Sequence, residues 1–311
     1  MPNPADGPEP RSPSRRLRLL YNPTAGRVRR PLVERAIVAL RRAGWEVERA
    51  ETERRGHAEH LAAEAAGDGE VGRLVVAGGD GTINEAVNGL LRANAPLPLA
   101  ILPMGTANVL AHELGLARFE RAVDAACAMR VASIRPGRAN GRHFVMMAGV
   151  GLDAHVVASI RPGLKRLLGR QAYVLETLRQ LFRFGFPTYR VVIDDVAYEA
   201  ASVVVAKGRL YGGSYLIAPA ARLGSPTFEV CLFQATGRLA VLRYGLALLL
   251  GRLPQRRDFL IRTGRKVSIG GPAGDPVQGD GDIIGHLPVT IAIAERGIQI
   301  AVGEIAVGAV E

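Results

Sequence analysis

The run Gly78-Gly79-Asp80-Gly81-Thr82 gathers residue types suited to one task, the close approach of a polyanion to the backbone. Glycines let main-chain N–H groups reach phosphate oxygens, and the start of a helix adds the positive end of its dipole. The run is not a P-loop, because no Gly-Lys-Ser/Thr follows, and it is not the Gly-x-Gly-x-x-Gly of a dinucleotide fold. Asp80 is its odd member. A carboxylate inside a phosphate cradle repels the ligand unless a divalent cation such as Mg2+ stands between them or the acid takes part in proton transfer. The bland alternative is a cap on the following helix. Two other turns have similar content, Leu102-Pro103-Met104-Gly105-Thr106-Ala107-Asn108 and Asn22-Pro23-Thr24-Ala25-Gly26. Late in the chain, Gln278-Gly279-Asp280-Gly281-Asp282 brings two more carboxylates, in a run that alone reads as an acidic hairpin turn.

Segments that must position these turns can be read from the apolar pattern. Strand-like runs at 16–22, 45–50, 74–77 and 97–102 alternate with helical stretches at 31–43, 56–66, 82–91, 107–114 and 119–129, the texture of a parallel α/β sheet. Turns at the carboxyl ends of successive strands in such a sheet converge on one crevice. Beyond residue 130 the apolar runs shorten, at 144–147, 189–194, 200–206, 227–233, 266–269 and 289–294, and predict an antiparallel sandwich or barrel. Two helical inserts interrupt it, one at 164–184 carrying Lys165, Arg166, Arg170, Arg179 and Arg183, the other Leu-rich at 238–253. The expected class is α/β plus all-β. A flexible tail over 1–14 precedes a parallel α/β nucleotide-binding domain over 15–132. An antiparallel β-sandwich domain with helical inserts follows over 133–311, its C-terminal end returning to the first domain.

Composition narrows the function. Forty Lys+Arg against 29 Asp+Glu leave +11 over 311 residues, and only Lys165, Lys207 and Lys266 are lysines. Such an excess calls for an anionic partner: nucleic acid, a phosphate-bearing ligand or a membrane surface. The arginines are dispersed and aromatics make up 5%, which argues against nucleic acid. Two cysteines give no disulfide framework and point to a reducing compartment. The Leu-rich segment is broken by Arg243 and Arg252 and is too short to cross a bilayer. It and the basic helix read with equal weight as core or as a membrane-docking surface. His57 and His60 have no further ligand at zinc spacing, and no Gly-x-Ser-x-Gly elbow is present.

Taken in order, several runs closely resemble the soluble bacterial diacylglycerol kinase and lipid kinase family, related to sphingosine and ceramide kinases. They are Asn22-Pro23, Gly56-His57-Ala58 behind Thr52, the 78–82 run continued by Ile83-Asn84-Glu85, and the 102–108 run. Gly149-Val150-Gly151-Leu152-Asp153, Tyr211-Gly212-Gly213 with Ala218-Pro219, and the 278–282 run complete the set. The likeness covers nearly the whole chain. It implies an N-terminal domain of the kind shared with NAD kinases and phosphofructokinases, and a β-sandwich that holds the lipid, with ATP between them. The implied activity is transfer of the γ-phosphate of ATP, with Mg2+, to the hydroxyl of diacylglycerol or a related lipid alcohol. Position by position, Asn22, Thr52, Gly78, Gly79, Asp80, Gly81, Thr82, Gly105 and Thr106 would bind ATP, and Asp80 would organise the metal. The family's acceptor carboxylate, the Glu of an Asp-Gly-Glu motif, falls on Asp282, one methylene shorter, and the Asp of that motif falls on Asp280. In the sphingosine kinase branch the proton acceptor is the Asp equivalent to Asp80. Asp282, Asp80 and Asp280 are therefore the catalytic candidates, with Asp282 favoured as the base.

The chain also departs from the pattern. Arg135 reverses a charge, Met146 stands where an Asn is usual, and the stretch around Ser225 lacks the carboxylates of a second, structural Mg2+ site, which is expected to be empty. These changes keep a catalytically weak nucleotide- or anionic-lipid-binding regulator in view, beside a NAD kinase-like enzyme. The implied partners are a lipid substrate and an anionic membrane surface, not nucleic acid, and a homodimer stays open. The implied location is the cytoplasm, at the inner face of the membrane.

Overall fold

The computed structural model describes residues 14–23, 30–160, 170–303 and 310. Residues 1–13, the turn residues 24–26 with Arg27 and Arg29, and Lys165 and Arg166 lie outside the described residues. The first sheet starts with β1 (Arg16–Tyr21), β2 (Glu46–Glu51), β3 (Val71–Gly78) and β4 (Leu99–Pro103). These four run parallel in the order β2-β1-β3-β4. α1 (Arg30–Arg42), α2 (His57–Gly67) and α3 (Asp80–Ala93) connect them, and α4 (Val109–Glu113), α5 (Phe119–Cys127) and β5 (Val131–Ile134) follow. β3 and β4 are buried along nearly their whole length because helices cover both faces. β2, at the edge, reads Glu-Val-Glu-Arg-Ala-Glu and keeps its charges in water.

The second half contains β6 (Gly137–Ala139), β7 (Arg142–Phe144), β8 (Met147–Val150), α6 (Leu152–Ser159), α7 (Arg170–Arg183), β9 (Tyr189–Ile193), β10 (Val196–Ala200) and β11 (Ser202–Ala206). A small ribbon of β12 (Leu210–Tyr211) and β13 (Tyr215–Leu216) precedes β14 (Phe228–Phe233) and α8 (Arg238–Leu249). The remaining strands are β15 (Phe259–Gly264), β16 (Lys266–Gly270), β17 (Pro276–Gly279), β18 (Asp282–His286), β19 (Val289–Ile293) and β20 (Ile298–Ala301). Two six-stranded sheets result, β10-β9-β16-β19-β6-β7 and β15-β14-β11-β8-β17-β18. Their facing sides share one core that includes Phe144, Tyr189, Val203, Val205, Phe228, Val230 and Ile291. The alternate residues Val204, Ala206 and Cys231 point the other way, into the core of the first half. The β11–β14 sheet is thus apolar on both faces and joins the two halves. β20 joins the first sheet, parallel to β4 and antiparallel to β5.

Several elements differ from the pattern-based expectation. The run 144–147 is not one strand: β7 ends at Phe144 and β8 begins at Met147, and Val145 and Met146 turn between them. The run 200–206 is split between β10 and β11. Among the described residues no helix is long and apolar enough to cross a membrane.

α3 is held to α2 by an unusually close approach. A Cβ on Gly89 would stand 2.1 Å from the carbonyl oxygen of Glu59, so only glycine fits. Glu85 on α3 also accepts the N–H groups of Gly56 and Ala58 (2.8 and 3.3 Å) and so caps α2 from its neighbour. Gly89→Val is expected to force the helices apart and lower stability by about 2–3 kcal/mol in urea denaturation.

Candidate active site

Four of the implicated positions follow directly from the parallel strands. Asn22 succeeds β1, Thr52 succeeds β2, Gly78 ends β3, and the 104–108 turn leaves β4, so all lie at the carboxyl edge of one sheet. The β3 and β4 turns touch backbone to backbone. Met104 N–H donates to the Gly78 carbonyl at 2.8 Å, and a Cβ on Gly105 would lie 2.5 Å from the Gly79 Cα. Asn108 locks its turn from within: its Oδ1 accepts from Gly105 N–H (2.7 Å) and its Nδ2 donates to the Gly105 carbonyl (3.0 Å). Thr52 is buried and its N–H donates to the Tyr21 carbonyl. Thr106 is exposed at the turn's tip.

Asp80 is the first residue of α3, and its carboxyl group is turned toward the start of α4. Burial pushes its pKa up, and the N–H groups of Val109, Leu110 and Asn108 pull it back down. Its Oδ1 is buried with no hydrogen-bond partner. Such an oxygen is a liability unless a cation or a proton satisfies it. Among the described residues no group of three or more His, Cys, Asp or Glu could hold a metal. A Mg2+ at Asp80 would accordingly take one ligand from this carboxylate and others from phosphate oxygens and water, a pattern this ion tolerates.

Asp280 and Gly281 form the two-residue loop between β17 and β18. Both have positive φ, 51° and 84°, the requirement of a type I′ hairpin. The acidic hairpin and the motif are therefore the same object. The turn points the Asp280 carboxylate inward, where it accepts from Val145 N–H (2.6 Å), Met146 N–H (2.9 Å), Met147 N–H (3.1 Å) and Asn84 Nδ2 (2.8 Å). Burial raises its pKa and those donors oppose the shift. With both oxygens engaged, Asp280 is a strut that holds the β7–β8 turn and α3 together. Asn84 and Asn88 extend it: both donate to the His143 carbonyl (2.9 and 3.1 Å), and Asn88 Oδ1 accepts from His143 N–H (2.9 Å).

Asp282, two residues on, points the opposite way and is part exposed. A side chain on Gly81 would meet its Oδ2 at 3.2 Å, so this carboxylate stands over the 78–82 turn. Its Oδ1 pairs with Arg55 Nη2 at 2.7 Å. Below the hairpin, Gln278 Oε1 accepts from Gly281 N–H (3.0 Å) while its Nε2 donates to Asp153 (2.7 Å), which also accepts from Tyr211. Burial raises the pKa of both Asp153 and Tyr211. The structure thus brings Asp80, Asp282 and the two turns after β3 and β4 together, with Asn22 and Thr52 on the same sheet edge, and sets Asp280 behind them as support.

Two of the departures, at Met146 and around Ser225, have physical accounts. Met146 contributes its backbone N–H to Asp280, which any side chain permits, and its own side chain packs against Gly208. Near Ser225 the almost fully buried Lys207 donates its Nζ to the carbonyls of Ser225 (2.5 Å) and Thr227 (3.2 Å). Burial and nearby Arg135 push its pKa down to about 8. An ammonium group therefore occupies the neighbourhood of the second metal site implied by the resemblance.

Sequence reasoning missed Arg55, which belongs to no motif, and missed the Asn84–Asn88 ladder. The ladder had a signal: two Asn at i, i+4 within the apolar stretch of α3 mark a buried polar stripe. Arg55 had none, because its partner lies 227 residues away.

Residues 16–139 match the family model of the diacylglycerol kinase catalytic domain, and 146–302 match the YegS C-terminal NAD kinase beta sandwich-like domain. A Bacillus subtilis protein named diacylglycerol kinase is 28% identical over 296 residues, 92% of this chain and 96% of its own length. A YegS-like Pseudomonas aeruginosa protein is 32% identical over 202 residues, covering 64% of this chain and 67% of its own. A Bacillus anthracis crystal structure has the same fold, with a TM-score of 0.80 at 24% identity over 97% of this chain and 99% of that one.

Two outcomes follow from the strut. Asp280→Ala strands four donors and is expected to cost about 3–5 kcal/mol in urea denaturation, whereas Asp282→Ala should change stability by under about 1 kcal/mol. His143, held down to about 4 by burial and by Arg138 and Arg142, binds its proton later in the folded state than the usual 6.5. The unfolded chain takes up more protons between those values, so stability should fall as pH drops from about 6.5 toward 4. His143→Asn keeps the backbone bonds and should show a shallower fall, read by thermal melts across that range.

Proposed function

The chain belongs to the family of diacylglycerol kinase catalytic domains joined to a YegS-type C-terminal domain, and from this premise we propose an ATP- and Mg2+-dependent lipid kinase. The substrate is the free hydroxyl of diacylglycerol or a related long-chain lipid alcohol, and the products are the lipid phosphate and ADP. Residues 15–132 supply the nucleotide half and 133–311 the lipid half, with the last strand returning to the first sheet. The protein works in the cytoplasm at the inner face of the membrane, where such a substrate resides.

The observation that carries this reading is the placement of Asp282 directly over the 78–82 turn. A group that takes a proton from an alcohol must stand beside the phosphate that the alcohol attacks. The backbone of Gly78, Gly79, Gly81, Thr82, Gly105 and Thr106 holds phosphate oxygens, and Asn22 and Thr52 flank the nucleotide along the same sheet edge. Asp80, with its unsatisfied Oδ1, carries the Mg2+ that neutralises phosphate charge. The lipid hydroxyl oxygen forms the new bond to the γ-phosphorus as the bond to ADP breaks, and its proton passes to Asp282. Arg55 orients that carboxylate, and Asp280 fixes the hairpin on which it rides.

Transfer of radiolabelled phosphate from ATP to a panel of diacylglycerol, ceramide and sphingosine, with NAD as the competing acceptor, tests the reading. Asp282→Asn and Asp80→Asn should each lower kcat by about 10²-fold or more with unchanged melting temperature. Unchanged rates in both variants, or transfer to NAD alone, would remove it.

A further inference from the structure

The two helical inserts leave a large apolar surface that no described residue covers. α8 seats Ala240, Tyr244 and Ala247 on the core, and the Tyr244 hydroxyl ties it down by donating to the Asp258 carbonyl (2.7 Å) and accepting from Ala235 N–H (3.0 Å). The opposite face carries Leu239, Leu242, Leu246 and Leu249 at i, i+3, i+7 and i+10, all exposed, Leu239 by 68%. α7 is inverted. Its inward face holds the polar pair Glu176 and Gln180, bonded to each other (3.1 Å) and through Gln180 to Ser159 Oγ (2.7 Å). Its outward face holds Val174, Leu175, Leu178 and Phe182, the last 71% exposed. The helices meet where the Arg238 guanidinium lies 4.9 Å from the Phe182 ring. Together they carry eight of the thirteen large apolar side chains exposed among the described residues, so the surface is one patch and not scattered leucines.

Charge identifies the occupant. Arg183, Arg238 and Arg243 are exposed along the two helices and Arg252 just beyond α8, α8 contains no acid, and the carboxylate of α7 is turned inward. A second copy docking about a two-fold axis would set these arginines against their own mates. An anionic bilayer has no such conflict: leucines enter the acyl boundary while arginine stems reach up to lipid phosphates. α7 also touches the reaction centre, because a side chain on Gly281 would begin 3.8 Å from the Tyr173 hydroxyl.

We propose that the outward faces of α7 and α8 form the surface by which this protein docks on an anionic membrane, with the Asp280–Asp282 hairpin carried to headgroup level by contact with α7. The proposal rests on the lipid-kinase reading for its purpose, and its test does not use catalysis. Flotation with phosphatidylcholine vesicles, with and without phosphatidylglycerol, should show wild-type binding that needs the anionic lipid and weakens with salt. Leu242→Glu/Leu246→Glu should lower it by about tenfold or more. Leu246→Trp should shift its emission to the blue and be quenched by brominated lipid, while Val196→Trp, on the exposed strand β10, should not respond. Equal flotation of wild type and the double variant, no wild-type binding, or a silent Leu246→Trp would overturn the proposal. So would a wild-type dimer that the double variant abolishes, which assigns the face to a second copy. Phosphorylation of a short-chain diacylglycerol dispersed in detergent should be unchanged in the double variant. Failure of that reaction in the wild type counts against the kinase reading and leaves the flotation result standing.

Discussion

The Asp280 carboxylate is the point on which the arrangement turns. It is buried, it takes three backbone donors from the turn between β7 and β8, and it takes a fourth from Asn84 in α3. A buried carboxylate is costly unless every lone pair is engaged, so the geometry of its four donors is fixed closely. That requirement sets the hairpin between β17 and β18 against α3 of the first half. Asp282 rides on the same hairpin and is thereby placed over the 78–82 turn. The left-handed backbone at Asp280 and Gly281 lets adjacent acids face opposite ways, one to the interior and one to the cleft.

The electrostatics around this centre are economical. Asp80 keeps an unsatisfied oxygen in a place where the surrounding donors are main-chain amides. Asp282 has its arginine from α2's approach, and α2 is itself capped by Glu85 from α3. The positive excess of the whole chain is spread elsewhere, with a share along the outward faces of α7 and α8.

What could be read from the residues follows how local each interaction is. The parallel strands and their glycine turns were legible because the pattern 16–103 repeats within short windows and each turn sits beside its own strand. The antiparallel half was legible in kind but not in register: β17 and β20 are short, and β8, β4 and β5, which they join, lie far away in the chain. Asp280 and Asp282 were singled out by likeness to a family, yet no spacing could tell which faces inward, because that depends on the two φ angles of a turn. The Asp153, Tyr211 and Gln278 network joins residues up to 125 positions apart and left no periodic trace. α8 read as core or docking surface with equal weight because it is apolar on both faces, and only the packing of Tyr244 separates them.

β20 has a consequence for how the molecule comes into being. It is the neighbour of β4 on one side and of β5 on the other, so the first sheet is not continuous until residues 298–301 arrive. During synthesis, β4 and β5 emerge some 160 or more residues before their shared neighbour, and β5 must wait without a partner while the whole sandwich is made. The first half is therefore completed last, although it is encoded first. Folding of the two halves is coupled in time, and an incomplete chain cannot present the finished sheet edge.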